Sequence, residues 1–231
     1  MITLDRVLEL FNELNTYPRE SGNRKPVADY LCNFAQEKGL EYYRDEYENV
    51  VIKKEASKGM ENSPSLILQA HYDMVCVKDE DVDHDFSKDP ITSYIEDGWL
   101  KARGTTLGAD NGIGVAIMLA FLESDTITPY LECVFTSDEE TNMEGAKYLD
   151  KSILKSRYMI NLDEETEDSI TVSSAGISDI RLNYSKNDIL EEYVNETKTV
   201  VEINIDGLKG GHSGIDIKYN RVNAIKLVCD L

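Results

Sequence analysis

Short apolar runs in this chain stop on histidine and carboxylate motifs, and that arrangement constrains the fold more than any other feature. Residues 66–70 (LILQA) lead straight into His71-Tyr72-Asp73. Residues 131–136 (LECVFT) lead to Asp138-Glu139-Glu140, and a run from Tyr158 ends in Asn161-Leu162-Asp163. Runs of this length suit buried strands. In an α/β sheet, strand ends are where the fold presents its chemistry. Two glycine-bearing motifs complete the set: Gly108-Ala109-Asp110-Asn111-Gly112 and Gly210-Gly211-His212-Ser213-Gly214.

The segments between these motifs alternate in type. Leu4, Val7, Leu8, Phe11 and Leu14 repeat at helical spacing. Pro26 suits the first turn of a second helix, and Gly39 is placed to end it. Strands are expected at 49–54, 66–70, 130–136, 158–162 and 170–174, and helices at 113–123 and from Gly145. Asp97-Gly98 predicts a tight hairpin. Strands alternating with helices indicate a layered α/β sheet. After Gly176 the pattern shifts to strands at 179–184 and 199–205, a glycine-rich loop, and a helix over 221–231, so a domain boundary is placed there, giving 1–176 and 177–231. The last helix runs into Leu231 without cap or polar tail, which predicts a chain that has been cut.

Composition narrows the partners. The net charge is −20, from 44 Asp plus Glu against 24 Lys plus Arg, and such a surface repels nucleic-acid backbones and anionic membranes. Most of these acids are read as a solvated surface. The four cysteines form no C-x-x-C pair, so no thiolate zinc site is suggested. The N-terminus lacks a basic region followed by an apolar stretch, and the longest apolar stretch, near 115–122, falls short of the ~20 residues that span a bilayer. A reducing, cytoplasmic setting is expected.

The motifs point to cation chemistry. Residues two apart on a strand share a face, so His71 can hold a metal while Asp73 orients its ring. Asp110 reads either as a helix cap or as a bridging carboxylate. Consecutive acids at a buried strand end are tolerable when one binds a cation. Glu139 and Glu140 are expected to point in different directions and to serve different roles, while Asp138 is read as loop surface. Asp163 is the further candidate ligand. Two divalent cations about 3.5–4 Å apart can share a carboxylate and a water, and a free carboxylate such as Glu139 can take that water's proton. Histidine with carboxylates suits Zn²⁺, with Mn²⁺ or Co²⁺ as substitutes. The alternating Asp81, Asp83 and Asp85 fail the calcium-loop pattern, since Phe86 stands where glycine is required.

Together these residues resemble the M20 metallopeptidase family, and within it the aminoacyl-histidine dipeptidases. The resemblance is carried by 69–75 (QAHYDMV), 84–91 (HDFSKDPI), 101–112 (KARGTTLGADNG) and 207–214 (GLKGGHSG). It implies a zinc-peptidase-type layered α/β catalytic domain with the start of an inserted α+β lid. It implies one zinc on His71, Asp110 and Asp163, a second on Asp110, Glu140 and a distant C-terminal histidine, Asp73 as orienter and Glu139 as general base. It further implies a cis Asp110–Asn111 bond, His212 as an oxyanion donor from the lid, a small peptide substrate of Xaa-His type, and pairing of two copies through the lid. Family members are longer, and none of His71, His84 and His212 matches the last histidine ligand, so these 231 residues alone are expected to bind metal weakly and hydrolyse dipeptides poorly. The alternatives are a tripeptidase or amidohydrolase of the same family, or a non-catalytic metal- or peptide-binding fragment.

Overall fold

The computed structural model describes residues 1–164, 169–173, 202–211 and 216–230. The chain divides into two compact units, Met1–Ser173 and Ser174–Leu231.

In the first unit, Leu4–Leu14 forms α1, whose Thr3 hydroxyl accepts the Arg6 N–H at 3.3 Å as an N-cap. It buries Val7, Leu10, Phe11 and Leu14. Lys25–Glu37 forms α2, with Pro26 in the first turn, where a missing N–H is no loss. Gly39 (φ +65°) closes it. The Leu40 N–H reaches the Ala35 carbonyl at 2.9 Å and the Gly39 N–H the Gln36 carbonyl at 3.1 Å, the paired bonds of a Schellman motif.

The strands are β1 (Glu41–Arg44), β2 (Val50–Lys54), β3 (Leu66–His71), β4 (Ser93–Glu96), β5 (Trp99–Ala102), β6 (Leu131–Thr136) and β7 (Tyr158–Asn161). β4 and β5 pair by themselves around Asp97-Gly98, both at positive φ, as a two-residue hairpin of this kind requires. The others form one sheet in the order β1-β2-β6-β3-β7. β6, β3 and β7 run parallel, so their carboxyl ends share one edge. β1 and β2 are antiparallel additions on the far side of β6.

Side chains alternate faces along each strand. Val50 and Ile52, Leu68 and Ala70, and Cys133 and Phe135 join the main core with α1, α2 and α3 (Ala109–Glu123). Val51, Ile67 and Val134 face the other way, under Leu149, Ile153 and Leu154. α3 lies between α1 and the sheet and buries Val115, Ala116, Met118, Leu119, Ala120 and Leu122. This is the layered α/β architecture that the alternation of segments predicts.

Glu132 is a charged residue inside that second face. It is fully buried on β6, and its carboxylate accepts the Lys155 N–H (3.0 Å) and the Ser156 N–H (2.8 Å). It therefore fixes the turn that starts β7. Glu132→Ala strands these donors and should lower stability by about 2–3 kcal/mol, read from the urea midpoint, whereas an unchanged midpoint would show the bonds to be idle.

Several expectations differ from the structure. β1 has no alternating apolar pattern (Glu41, Tyr42, Tyr43, Arg44) and is recruited by pairing with β2. Residues 170–173 form no strand; Ile170 and Val172 are 89% and 92% exposed, with no sheet neighbour among the described residues. Nor do 202–205 form a strand, and 179–184 lie outside the described residues.

The short helix α4 (Glu144–Tyr148) follows β6 in the first unit, and the described part of the second unit holds a 3-10 turn at Ile217–Tyr219 and the helix α5 (Ala224–Cys229). α5 starts later than Arg221 because the Asn223 side chain caps it, accepting the Lys226 N–H at 3.0 Å. No helix among the described residues is long and apolar enough to cross a membrane.

Candidate metal centre

The site grows from the shared edge of β6, β3 and β7. Register sets His71 beside Thr136 and Gln69 beside Asn161. Gln69 ties the three strand ends together: its Nε2 donates to Thr136 Oγ1 (3.1 Å), and its Oε1 accepts from Asn161 Nδ2 (2.5 Å). Its carbonyl also accepts the Leu162 N–H at 2.9 Å, which holds the approach to Asp163.

His71 is the floor of the site, 1% exposed, and acidic side chains surround its outer nitrogen. Nε2 lies 3.0 Å from Asp110 Oδ1, 3.7 Å from Asp163 Oδ1 and 3.9 Å from Glu139 Oε2. Nδ1 faces Asp73, 3.1 Å from its main-chain oxygen and 3.4 Å from its carboxylate. With Nδ1 as donor to Asp73, the Nε2 lone pair is left for a cation.

Asp110 reaches His71 from the start of α3. Gly108, in the left-handed region (φ +69°), holds the N-cap position, and Asp110 and Asn111 have non-helical dihedrals, so Asp110 is not the cap. The Asp110–Asn111 peptide bond is cis.

The loop after β6 departs from the expected geometry in two ways. Asp138 is not loop surface. It is 2% exposed, ion-paired to Arg24, and accepts the Gly22 N–H at 2.7 Å. Its φ of +53° breaks the strand's alternation. As a consequence Glu139 and Glu140 do not diverge: each brings an oxygen within 4.8 Å of the His71 ring and of the other. Asp73 anchors this loop as well, its carboxylate accepting the Glu139 N–H (3.0 Å), the Glu140 N–H (3.2 Å) and the Ser21 hydroxyl (2.8 Å).

Electrostatics follow from this crowding. Burial works against charge on the His71 ring, but hydrogen bonds to Asp110, Asp163 and Asp73 outweigh it and push its pKa up to about 12. Burial, reinforced by the charge of Asp110, pushes Glu140 up to about 6. Burial also raises Glu139, helped by Asp163, Asp73 and Asp110 and opposed by His71. Burial would raise Asp73 too, but bonds from His71, Ser21 and the Glu139 N–H hold it below the usual carboxylate range. When no cation lies among them, such acids draw protons instead.

Among the described residues, two groups have ligand atoms close enough to hold a metal ion: His71, Asp110 and Asp163, and His71, Glu139 and Glu140. Tetrahedral ligands at about 2.0–2.2 Å from zinc stand about 3.3–3.6 Å from one another. The 3.0 and 3.7 Å separations around His71 Nε2 lie close to that range, and the donors are an imidazole and carboxylates. These residues fit a divalent cation. Asp110 and Asp163 are exposed at the mouth, so an ion can enter from solvent.

Comparison with known proteins identifies the family. The model of peptidase family M20/M25/M40 matches residues 67–219. The chain belongs to this family. The cytosol non-specific dipeptidase of Escherichia coli (strain K12) is 41% identical over 221 residues, 95% of this chain and 45% of that protein. The crystal structure of aminoacylhistidine dipeptidase from Vibrio alginolyticus is 43% identical with a TM-score of 0.70, over 72% of this chain and 34% of that one. A tripeptidase structure from Staphylococcus aureus is 26% identical with a TM-score of 0.61, over 72% and 45% of the two chains. The M20 chain thus spans less than half the length of these relatives.

Among the expected site residues of this M20 chain, His71, Asp73, Asp110, Glu139, Glu140 and Asp163 converge. His71 is common to both close groups, whereas the resemblance makes Asp110 the shared ligand. His212 lies outside the described residues. Sequence reasoning misses the supports: Arg19, Ser21, Arg24 and Gln69.

Proposed function

We propose that this chain supplies the metal-holding part of a dipeptidase that hydrolyses Xaa-His dipeptides. The observation that supports it best is the ring of Asp110, Asp163 and Glu139 around the buried His71 Nε2. Two divalent cations, zinc in this reading with Mn²⁺ or Co²⁺ as substitutes, supply Lewis acidity that polarises the scissile carbonyl and acidifies a water. His71, Asp110 and Asp163 hold one, and Asp110 and Glu140 contribute to the other. Asp73 fixes the His71 tautomer and, through the Glu139 N–H, the loop that bears the base. Glu139 Oε2 takes the proton of the attacking water and hands it to the leaving amine. His212 stabilises the oxyanion. A cytoplasmic setting, a small peptide substrate rather than nucleic acid or membrane, and pairing of two copies through the domain that contains 177–231 belong to the same reading.

The Xaa-His preference takes support from the name of the Vibrio relative, 43% identical. A broader dipeptidase is the second reading, favoured by the non-specific Escherichia coli relative, 41% identical over 95% of this chain. A panel of carnosine, glycyl-histidine, an unrelated dipeptide and a tripeptide, given to the product of the full reading frame, separates them. Preference for the histidine dipeptides by kcat/KM is the expected result. Equal rates on all dipeptides favour the broader reading, and selective cleavage of the tripeptide overturns both.

A further inference from the structure

Arg19 is 2% exposed, and among the described residues no carboxylate lies within ion-pair range of it. Its hydrogen bonds go to neutral oxygens. Nη1 donates to the Tyr72 carbonyl at 3.2 Å, and Nη2 to the Gly108 carbonyl at 2.7 Å and to Asn15 Oδ1 at 2.8 Å. A buried cation without an anionic partner is a costly element of a core. Burial lowers its pKa to about 10, opposed by Cys76, Asp73 and Asp110, so it is charged at neutral pH.

What it joins is specific. The Tyr72 carbonyl lies between His71 and Asp73, and the Gly108 carbonyl lies two residues before Asp110. The backbone has been shaped to admit the guanidinium. A Cβ on Gly108 would stand 2.3 Å from Arg19 Nη2, and one on Gly112 would stand 2.9 Å from the same atom. Gly108 therefore makes room for Arg19, and Gly112 makes room for Phe11 and Arg19 together. The segment that carries it also supplies the Ser21 bond to Asp73 and, through Gly22 and Arg24, the bonds to Asp138.

We infer that Arg19 is a positioning residue of the metal site, a planar fork that sets the spacing between the His71–Asp73 segment and the Asp110 segment. This rests on the metal-site reading above. Charge and geometry predict opposite signs. A fixed positive charge beside the ligands repels a cation, so an arginine acting only through its charge would weaken metal binding and its removal would strengthen it. An arginine acting as a fork strengthens binding by holding the ligands in register, and lysine, a point charge without the fork, cannot replace it.

The test is Co²⁺ binding to the product of the full reading frame, by calorimetry and by the ligand-field absorption of the bound ion, with near-UV circular dichroism as the check on folding. Arg19→Met should weaken Co²⁺ binding about 100-fold and Arg19→Lys about 10-fold, the range seen when supports behind a metal's ligands are removed, and both should alter the ligand-field spectrum. Tighter binding by Arg19→Met, or wild-type affinity and spectrum in Arg19→Lys, overturns the inference. If Arg19→Met fails to fold, Arg19→Lys decides. If neither folds, the role is structural and the inference falls. A wild-type chain that takes up no Co²⁺ sinks the metal reading itself, a distinct failure seen before any variant is compared.

Discussion

Glu139→Gln, introduced into the full reading frame, lowers kcat for dipeptide hydrolysis by about 10²–10⁴-fold, the usual contribution of a general base, and leaves metal content unchanged. That is ~3–5 kcal/mol of barrier, a loss no surface change produces. The expectation follows from where Glu139 sits. Its Oε2 is 3.9 Å from His71 Nε2, at the rim of the ligand cluster, and its side chain is 30% exposed, open to water and substrate. Burial raises its pKa, which brings a carboxylate nearer to the pH at which it must exchange protons. Glutamine keeps the size and hydrogen-bonding reach of the side chain but has no basic oxygen, so the water would keep its proton. The measurement needs kcat and metal content together, because the structure offers a rival. Glu139 also belongs to a group with His71 and Glu140 that could hold an ion. If the glutamine variant loses bound metal in step with activity, Glu139 is a ligand and the base assignment fails.

Elements with a strong local pattern are where the residues predict them: α1 from its spaced apolar face, α2 from Pro26 and Gly39, and β3 and β6 from apolar runs with one face on each core. The metal cluster was legible because β3, β6 and β7 are parallel, so a motif at the end of each run must reach the same edge. Long-range pairing was not legible. β1 exists because β2 offers it an edge, and nothing in Glu41–Arg44 announces that. Asp138 resembled surface charge because its partner, Arg24, is remote in sequence, and its positive φ reversed the direction expected for Glu140. Arg19 sits in a loop of proline, serine and glycine that suggests nothing beyond a turn. The one trace of it was indirect: glycines on both sides of Asp110 told of some group packed against that backbone.

Asp110→Asn tests which residue the two cations share. Replacing the carboxylate by its amide isostere keeps the shape but removes the anionic oxygen that stands 3.0 Å from His71 Nε2. If Asp110 bridges both ions, each loses a ligand at once. Affinity should then fall by at least the ~10–100-fold cost of losing a support behind the ligands, and the product of the full reading frame should retain less than one ion per chain after dialysis. The close groups in the structure suggest the alternative, since His71 belongs to both and Asp110 to one. In that case Asp110→Asn empties a single position and the chain still holds one tightly bound ion. His71→Ala then becomes the variant that strips both. Metal content by atomic emission on the two variants, prepared alike, decides between a bridging carboxylate and a shared imidazole. The carboxylate is the physically favoured bridge, because its two oxygens can face two ions, whereas a ring nitrogen has one lone pair to give.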